Sequence, residues 1–180
     1  MVCLALLFLL AQASNVPAQA TPLKEFKQQV DKYMGIHGQA VNKVGPFDAT
    51  KSPKEIHVRE LALGETIRAM RTGAKQGDVF TPLVAKTLRT IIYNEFNHRG
   101  PQALKNREDS QDEVPDFTPM ANMIYPTTFP LATFPPSLLR QMPPLPRPLE
   151  YRLVQRYLIL RDSEANLIVD VLPDAAPAGK

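Results

Sequence analysis

Residues 149–174 read LEYRLVQRYLILRDSEANLIVDVLPD, a run in which apolar and polar side chains alternate and three carboxylates, Asp162, Asp170 and Asp174, recur at short intervals. A period of two is the pattern of a strand with one buried face. A loop over 163–166 pairs Asp162 with Leu167, Leu160 with Val169 and Leu158 with Val171. A turn at Gln155-Arg156 separately pairs Tyr151 with Leu160 and Leu153 with Leu158. Both registers select the same apolar face, made of Tyr151, Leu153, Leu158, Leu160, Val169 and Val171, and together they predict a three-stranded antiparallel β-meander. The weakest join is the first turn, because Gln-Arg suits the positive φ of a tight two-residue loop poorly.

This register gives each carboxylate a structural place. Asp162 and Asn166 flank the second turn, where short polar side chains bond local backbone. Asp170 falls on the outer face, diagonal to Arg161, and Asp174 follows Pro173 at the strand's end. Acid–base catalysis by a carboxylate pair needs both groups on one side of a pocket, roughly 5 to 9 Å apart, and here they lie on different edges. The expectation is a fold element, with no catalytic residue assigned and with Asp170 open to replacement.

Upstream of the meander, prolines take over. Ten of the 34 residues from Pro115 to Pro148 are proline, a density that removes too many backbone donors for a helix or a central strand. Phe117, Met120, Met123, Ile124, Tyr125, Phe129, Leu131 and Phe134 are nevertheless spaced through the segment, so a packed, extended strap is expected, with one helical turn at PPSLLRQM. Before it, apolar residues recur at steps of three and four in three successive stretches, the pattern of amphipathic helices. In the first, Leu23, Phe26, Val30, Tyr33, His37, Val41 and Val44 form the stripe, and Gly35 and Gly38 mark a place for a kink. In the second, Ser52 caps and Pro53 opens a helix running to about Lys75, with Ile56, Leu63, Ile67, Met70 and Ala74 inward. The third opens at Thr81-Pro82, buries Val84, Leu88, Ile91, Ile92 and Phe96, and stops at Gly100-Pro101.

The fold class read from this order is α+β: an antiparallel set of about three helices, a proline-rich irregular strap and a C-terminal meander. The organisation is 1–20 signal peptide, 21–108 helical region, 109–148 strap, 149–174 β-meander and 175–180 tail. The signal assignment rests on MVCLALLFLLAQASNVPAQA, uncharged, apolar from Val2 to Ala11 and closing on Ala18-Gln19-Ala20. Its apolar run is about half the roughly 20 residues a membrane-spanning helix needs, so no stable anchor is expected after cleavage.

Cleavage after Ala20 removes Cys3, the one cysteine. The exported chain then has no route to disulfides, thiol catalysis or zinc–thiolate sites. Lys and Arg total 21 against 18 Asp and Glu, a net charge of +3, and no dense basic run tracks phosphates, so nucleic acid is not an expected partner. His37, His57 and His98 fall on three different helices with nothing to bring them together as a metal site. The cluster Glu108, Asp109, Asp112, Glu113 and Asp116 lacks the spacing of a calcium loop. Ser110, Ser137 and Ser163 sit in no nucleophile motif, and GAKQGD (73–78) is a helix end rather than a phosphate loop. Arg68, Arg71 and Lys75, with Lys86 and Arg89, form a basic stripe that an anionic envelope surface would suit. No cofactor is implied.

The segments GAKQGDVFTP, TFPPSLLRQMPPLP and LEYRLVQRYLILRDSEANLIVDVLPDA together resemble a group of exported bacterial proteins of unknown function, over most of the chain after the leader. The final hairpin alone is similar to those that end several small periplasmic proteins, including ones tied to nickel and cobalt homeostasis. The resemblance implies a periplasmic or secreted location and transfers no site residue. The function expected is binding, to an envelope protein or an envelope surface, rather than catalysis. The alternatives are a small metal-binding or metal-responsive periplasmic protein and a hydrolase whose site is not visible in the sequence.

Overall fold

The computed structural model describes residues 21–46, 52–100, 117–131 and 133–177. The proposed leader, the acidic cluster 108–116 and Ser110 lie outside the described residues. Three helices come first, α1 (Pro22–Val44), α2 (Pro53–Met70) and α3 (Pro82–Arg99), and each begins with proline at its first position. The missing N–H of proline costs nothing there, because the first helical N–H groups have no intrahelical acceptor. Thr21 and Ser52 accept from the backbone N–H of Lys24 and Glu55. Thr81 does not follow suit: its side chain makes no capping bond, and the helix starts on the Ala85 N–H to Thr81 carbonyl bond instead.

Two helix expectations change. α1 runs unbroken through Gly35 and Gly38, whose missing side chains face open space. α2 ends at Met70, not Lys75, because Arg71 turns out of helical geometry and Asn122, from the strap, donates its amide to the carbonyls of Arg68 and Arg71. Ile56, expected inward, is 46% exposed, whereas Leu63 and Ile67 are buried as read.

Among the described residues the sheet has four antiparallel strands rather than three, ordered β1-β4-β3-β2. β2 (Leu149–Val154), β3 (Tyr157–Asp162) and β4 (Leu167–Leu172) form the expected meander. β1 (Met123–Ile124), inside the strap, pairs with Ile168 and Leu167 of β4. The strap also carries the expected helical turn, α4 (Pro136–Leu139). The β2–β3 register matches the sequence reading, with Tyr151 opposite Leu160 and Leu153 opposite Leu158. Gln155 takes up the awkward turn at a φ of 50°.

The β3–β4 register departs from the expectation midway. Asp162 does face Leu167, but a bulge lies beyond Arg161–Ile168, so Leu160 faces Asp170 and Leu158 faces Leu172. One extra residue, Val169, reverses the facing of everything after it. Asp170 turns inward, and Val171 turns to the opposite face. Arg71 donates to the Val169 carbonyl at 3.1 Å, a buried contact at the bulge.

Both sheet faces are covered, which explains why every residue of β4 is buried. The inner face, with Tyr151, Leu153, Leu158, Leu160, Leu167, Val169 and Leu172, packs on Phe26, Val30, Leu63, Ile67, Leu88, Ile92 and Phe96 of the helices. On the outer face Val154, Ile159, Ile168 and Val171 pack under Phe117, Tyr125 and Phe129 of the strap. Met120 and Leu131 stay largely exposed. The chain continues past β4 into the core, with Ala175 and Ala176 buried and their N–H groups on the Arg156 carbonyl. Among the described residues no helix is long and apolar enough to cross a membrane.

Candidate functional site

The carboxylates of the meander do not converge; each is absorbed by the fold. Asp162, fully buried on the inner face, accepts from the Tyr33 hydroxyl at 2.6 Å and from His37 Nδ1 at 2.7 Å through Oδ2. Its Oδ1 accepts from the backbone N–H groups of Glu164 and Ala165. The local bonding read from the sequence is therefore present, and α1 adds two further donors, since Tyr33 and His37 stand one turn apart on its buried stripe. Burial disfavours the charged form of Asp162, but the hydrogen bonds from His37 and Tyr33 outweigh it and hold the carboxyl below its usual range. The His37 imidazole is pushed above its ordinary value, chiefly by its bond to Asp162 and against the pull of burial. The Tyr33 hydroxyl is driven up by burial and by the neighbouring Asp162 charge. The Arg71 guanidinium lies 5.1 Å over the Tyr33 ring.

Asp170 does not lie on the outer face beside Arg161, where the register without a bulge predicts it. It is fully buried and accepts four backbone N–H bonds, from Gly77 and Val171 on Oδ1 and from Val79 and Phe80 on Oδ2. Burial lifts its carboxyl above the usual range, although all four N–H donors pull the other way. Arg161 instead donates to Asn166 Oδ1 and to Glu150. Asp174 pairs with Arg156 at 2.9 Å at the exposed end of the meander.

A histidine held by a buried aspartate is half of a nucleophile-activating relay. The other ring nitrogen, Nε2, faces the Glu164 carboxylate at 3.4 Å, so the arrangement ties α1 to the β3–β4 turn. His57 lies near Glu60 on the surface of α2, and His98 Nδ1 bonds the Asn94 carbonyl of its own helix. Among the described residues no three metal-binding side chains come together. Ser137 donates to buried Glu95, which also accepts from Gln141, and Ser163 donates to the Pro148 carbonyl. The basic stripe does not form as one surface: Arg71 is buried, and Arg68 and Arg89 donate to the carbonyls of Asn122 and Pro173.

The concave feature of interest is elsewhere. A groove of about 620 Å³ runs between β2 and the strap, with Phe134, Leu139, Arg140 and Met142 on one wall and Leu149 to Arg152 on the other. Tyr151 anchors the two walls, its hydroxyl on the Pro143 carbonyl at 3.0 Å and its ring 5.8 Å from that of Phe134. Four consecutive strand residues alternate between the two sheet faces, so a groove that touches all four follows the sheet's edge. Sequence reasoning missed this groove. The signal it carried was the proline cluster Pro143, Pro144 and Pro146 directly before an edge strand.

Comparison with protein-family models, with curated proteins and with solved structures finds no match to this chain.

Proposed function

We propose that the protein is exported and acts by binding another polypeptide of the envelope, with the groove along β2 as its working surface. The observation supporting this reading is the groove itself: about 620 Å³ between β2, which among the described residues pairs with β3 alone, and a wall of apolar and proline residues. Its size falls within the usual range of ligand sites, and its mixed lining of apolar surface and a few charges is typical of them. The chemistry elsewhere points the same way. Asp162 and Asp170 have their oxygens filled by internal donors, so neither offers a lone pair to a substrate. A location outside the cytoplasm is supported by the uncharged apolar run before Ala18-Gln19-Ala20.

Two measurements test the reading. A photoreactive side chain at position 139, on the groove wall, is expected to form a discrete crosslinked product in envelope fractions, whereas the same group at exposed position 54 on α2 does not. Equal labelling from both positions, or none, overturns the groove as the working surface. The intact mass of the exported form should place Thr21 first, and retention of Met1 overturns export by this leader.

A further inference from the structure

We infer that His37 and Glu164 form a zinc-binding site, with Nε2 of the ring and the Glu164 carboxylate as its two protein ligands, and that the bound metal joins α1 to the β3–β4 turn. The inference is independent of the groove and of its partner.

The state of the ring supplies the first argument. Asp162 Oδ2 lies 2.7 Å from His37 Nδ1. A carboxylate has no proton to give, so Nδ1 carries the hydrogen and the neutral ring keeps its lone pair on Nε2. Histidines that bind metals usually donate the other ring N–H to a carboxylate or carbonyl in this way, which fixes the tautomer and makes the free nitrogen more basic. Asp162 is itself held fast: it is fully buried and accepts from Tyr33 and from the backbone N–H groups of Glu164 and Ala165. One carboxylate therefore orients the ring and also anchors the backbone that carries the second ligand.

The spacing supplies the second. Zinc takes imidazole nitrogen at about 2.0–2.1 Å and carboxylate oxygen at about 2.0–2.2 Å, and at a tetrahedral angle these bonds set the two atoms about 3.4 Å apart. His37 Nε2 and Glu164 Oε2 stand at 3.4 Å. Octahedral coordination at the same bond lengths would draw them to about 2.9 Å. The ring is 8% exposed and Glu164 60% exposed, so the metal enters from the solvent side of Glu164. Among the described residues no group of three metal-binding side chains forms, and water completes the coordination. His57 and Glu60 on α2 are also 3.4 Å apart, but that ring is 49% exposed and has rotamer freedom to lose on binding.

The test is zinc chloride alone, titrated calorimetrically into the full exported chain at about pH 8, since binding needs the neutral ring. The histidine ring nitrogens are followed by NMR. One zinc per chain is expected, with a shift of the His37 Nε2 resonance and a rise in the thermal midpoint, because the metal binds the folded chain. Glu164→Gln, at an exposed position, should weaken binding about ten-fold or more without loading the fold. His37→Gln should abolish it, and His57→Gln should leave it unchanged. Should His37→Gln fail to fold, Glu164→Gln and the Nε2 resonance still decide. Absence of zinc uptake by the wild type overturns the site. Uptake that leaves the His37 Nε2 resonance in place, persists at full strength in Glu164→Gln, or disappears in His57→Gln overturns it as well.

Discussion

His37 and Asp162, 125 positions apart, meet at 2.7 Å between Nδ1 and Oδ2, and this bond fastens α1 to the end of β3. Its two partners titrate in opposite senses. The folded-state value of His37 is raised above 6.5, by the bond to Asp162 first, against burial, and then by the charges of Asp162 and Glu164. Its contribution is therefore complete below pH 6.5 and is lost as pH rises through the raised value. Asp162 is depressed below 3.8, so its contribution is complete above pH 3.8 and is lost as pH falls through the depressed value. The share of stability that this pair contributes should be flat between these limits and decline on the alkaline side in thermal melts against pH, while the buried Asp170 carboxyl, raised above 3.8, adds its own loss as pH rises through its raised value. In His37→Gln the alkaline decline should flatten; if it persists unchanged, another group is responsible.

Gly64 sets how closely α2 approaches the sheet. A Cβ there would stand 2.6 Å from the Ala165 backbone carbonyl oxygen and 2.6 Å from Ile124 Cδ1. The isoleucine can rotate away; the carbonyl belongs to the β3–β4 turn and has little freedom. Gly64→Ala should cost about 1 to 3 kcal/mol by overpacking. Gly38→Ala, in α1 with open space around it, should instead gain up to about 1 kcal/mol through helix propensity. Urea unfolding of the two variants should shift the midpoint in opposite directions.

The local elements were legible because their signals are local. Proline after Ser or Thr marked the starts of the second and third helices, and the two agreeing registers placed Tyr151, Leu153, Leu158 and Leu160 on one face, where they are found. What escaped depended on distant chain. β1 has two residues, Met123 and Ile124, and is a strand only because β4 lies beside it. The bulge at Val169 leaves no mark in an alternating pattern, since Leu167-Ile168-Val169 is apolar on both faces. Unbroken alternation therefore puts Asp170 in solvent, and the one extra residue of the bulge puts it in the core. Tyr33 and His37 were correctly placed inward, but their shared acceptor lies on another element. The groove combines a strap and an edge, and neither implies the other in sequence.

Leu160 lies fully buried at the centre of the inner face, directly across from Asp170. Leu160→Asp removes an aliphatic core side chain and sets a second carboxylate opposite the first. Desolvation of the new charge costs several kcal/mol, and the like charge across the strands adds to it. That is comparable with the whole stability of a domain this size. The variant should lack a cooperative melt at neutral pH. A wild-type-like transition would contradict the inward placement of this position.

Asp170→Asn is nearly isosteric, and for an outer-face residue it would be close to neutral. The environment of Asp170 makes it severe. Gly77 and Val171 donate to Oδ1 at 2.9 and 2.7 Å, and Val79 and Phe80 donate to Oδ2 at 2.7 Å each. An asparagine has one acceptor oxygen and one donor NH₂, so either orientation of the amide aims its hydrogens at two backbone N–H groups. Those two donors lose their partner inside the protein, at about 1 to 3 kcal/mol each, with repulsion between donors added. Three of the four N–H groups belong to the turn that leads into α3, so the loss loosens the α2–α3 connection against β4 as well as the sheet. The expected result is a loss of at least about 2 kcal/mol in urea unfolding, with faster amide exchange at Gly77, Val79 and Phe80. Asp170→Ala serves as the control, since it leaves four donors without an acceptor but adds no opposing donor. If Asn is tolerated as well as Asp, with exchange at those three amides unchanged, then Asp170 is not the acceptor that fixes this turn.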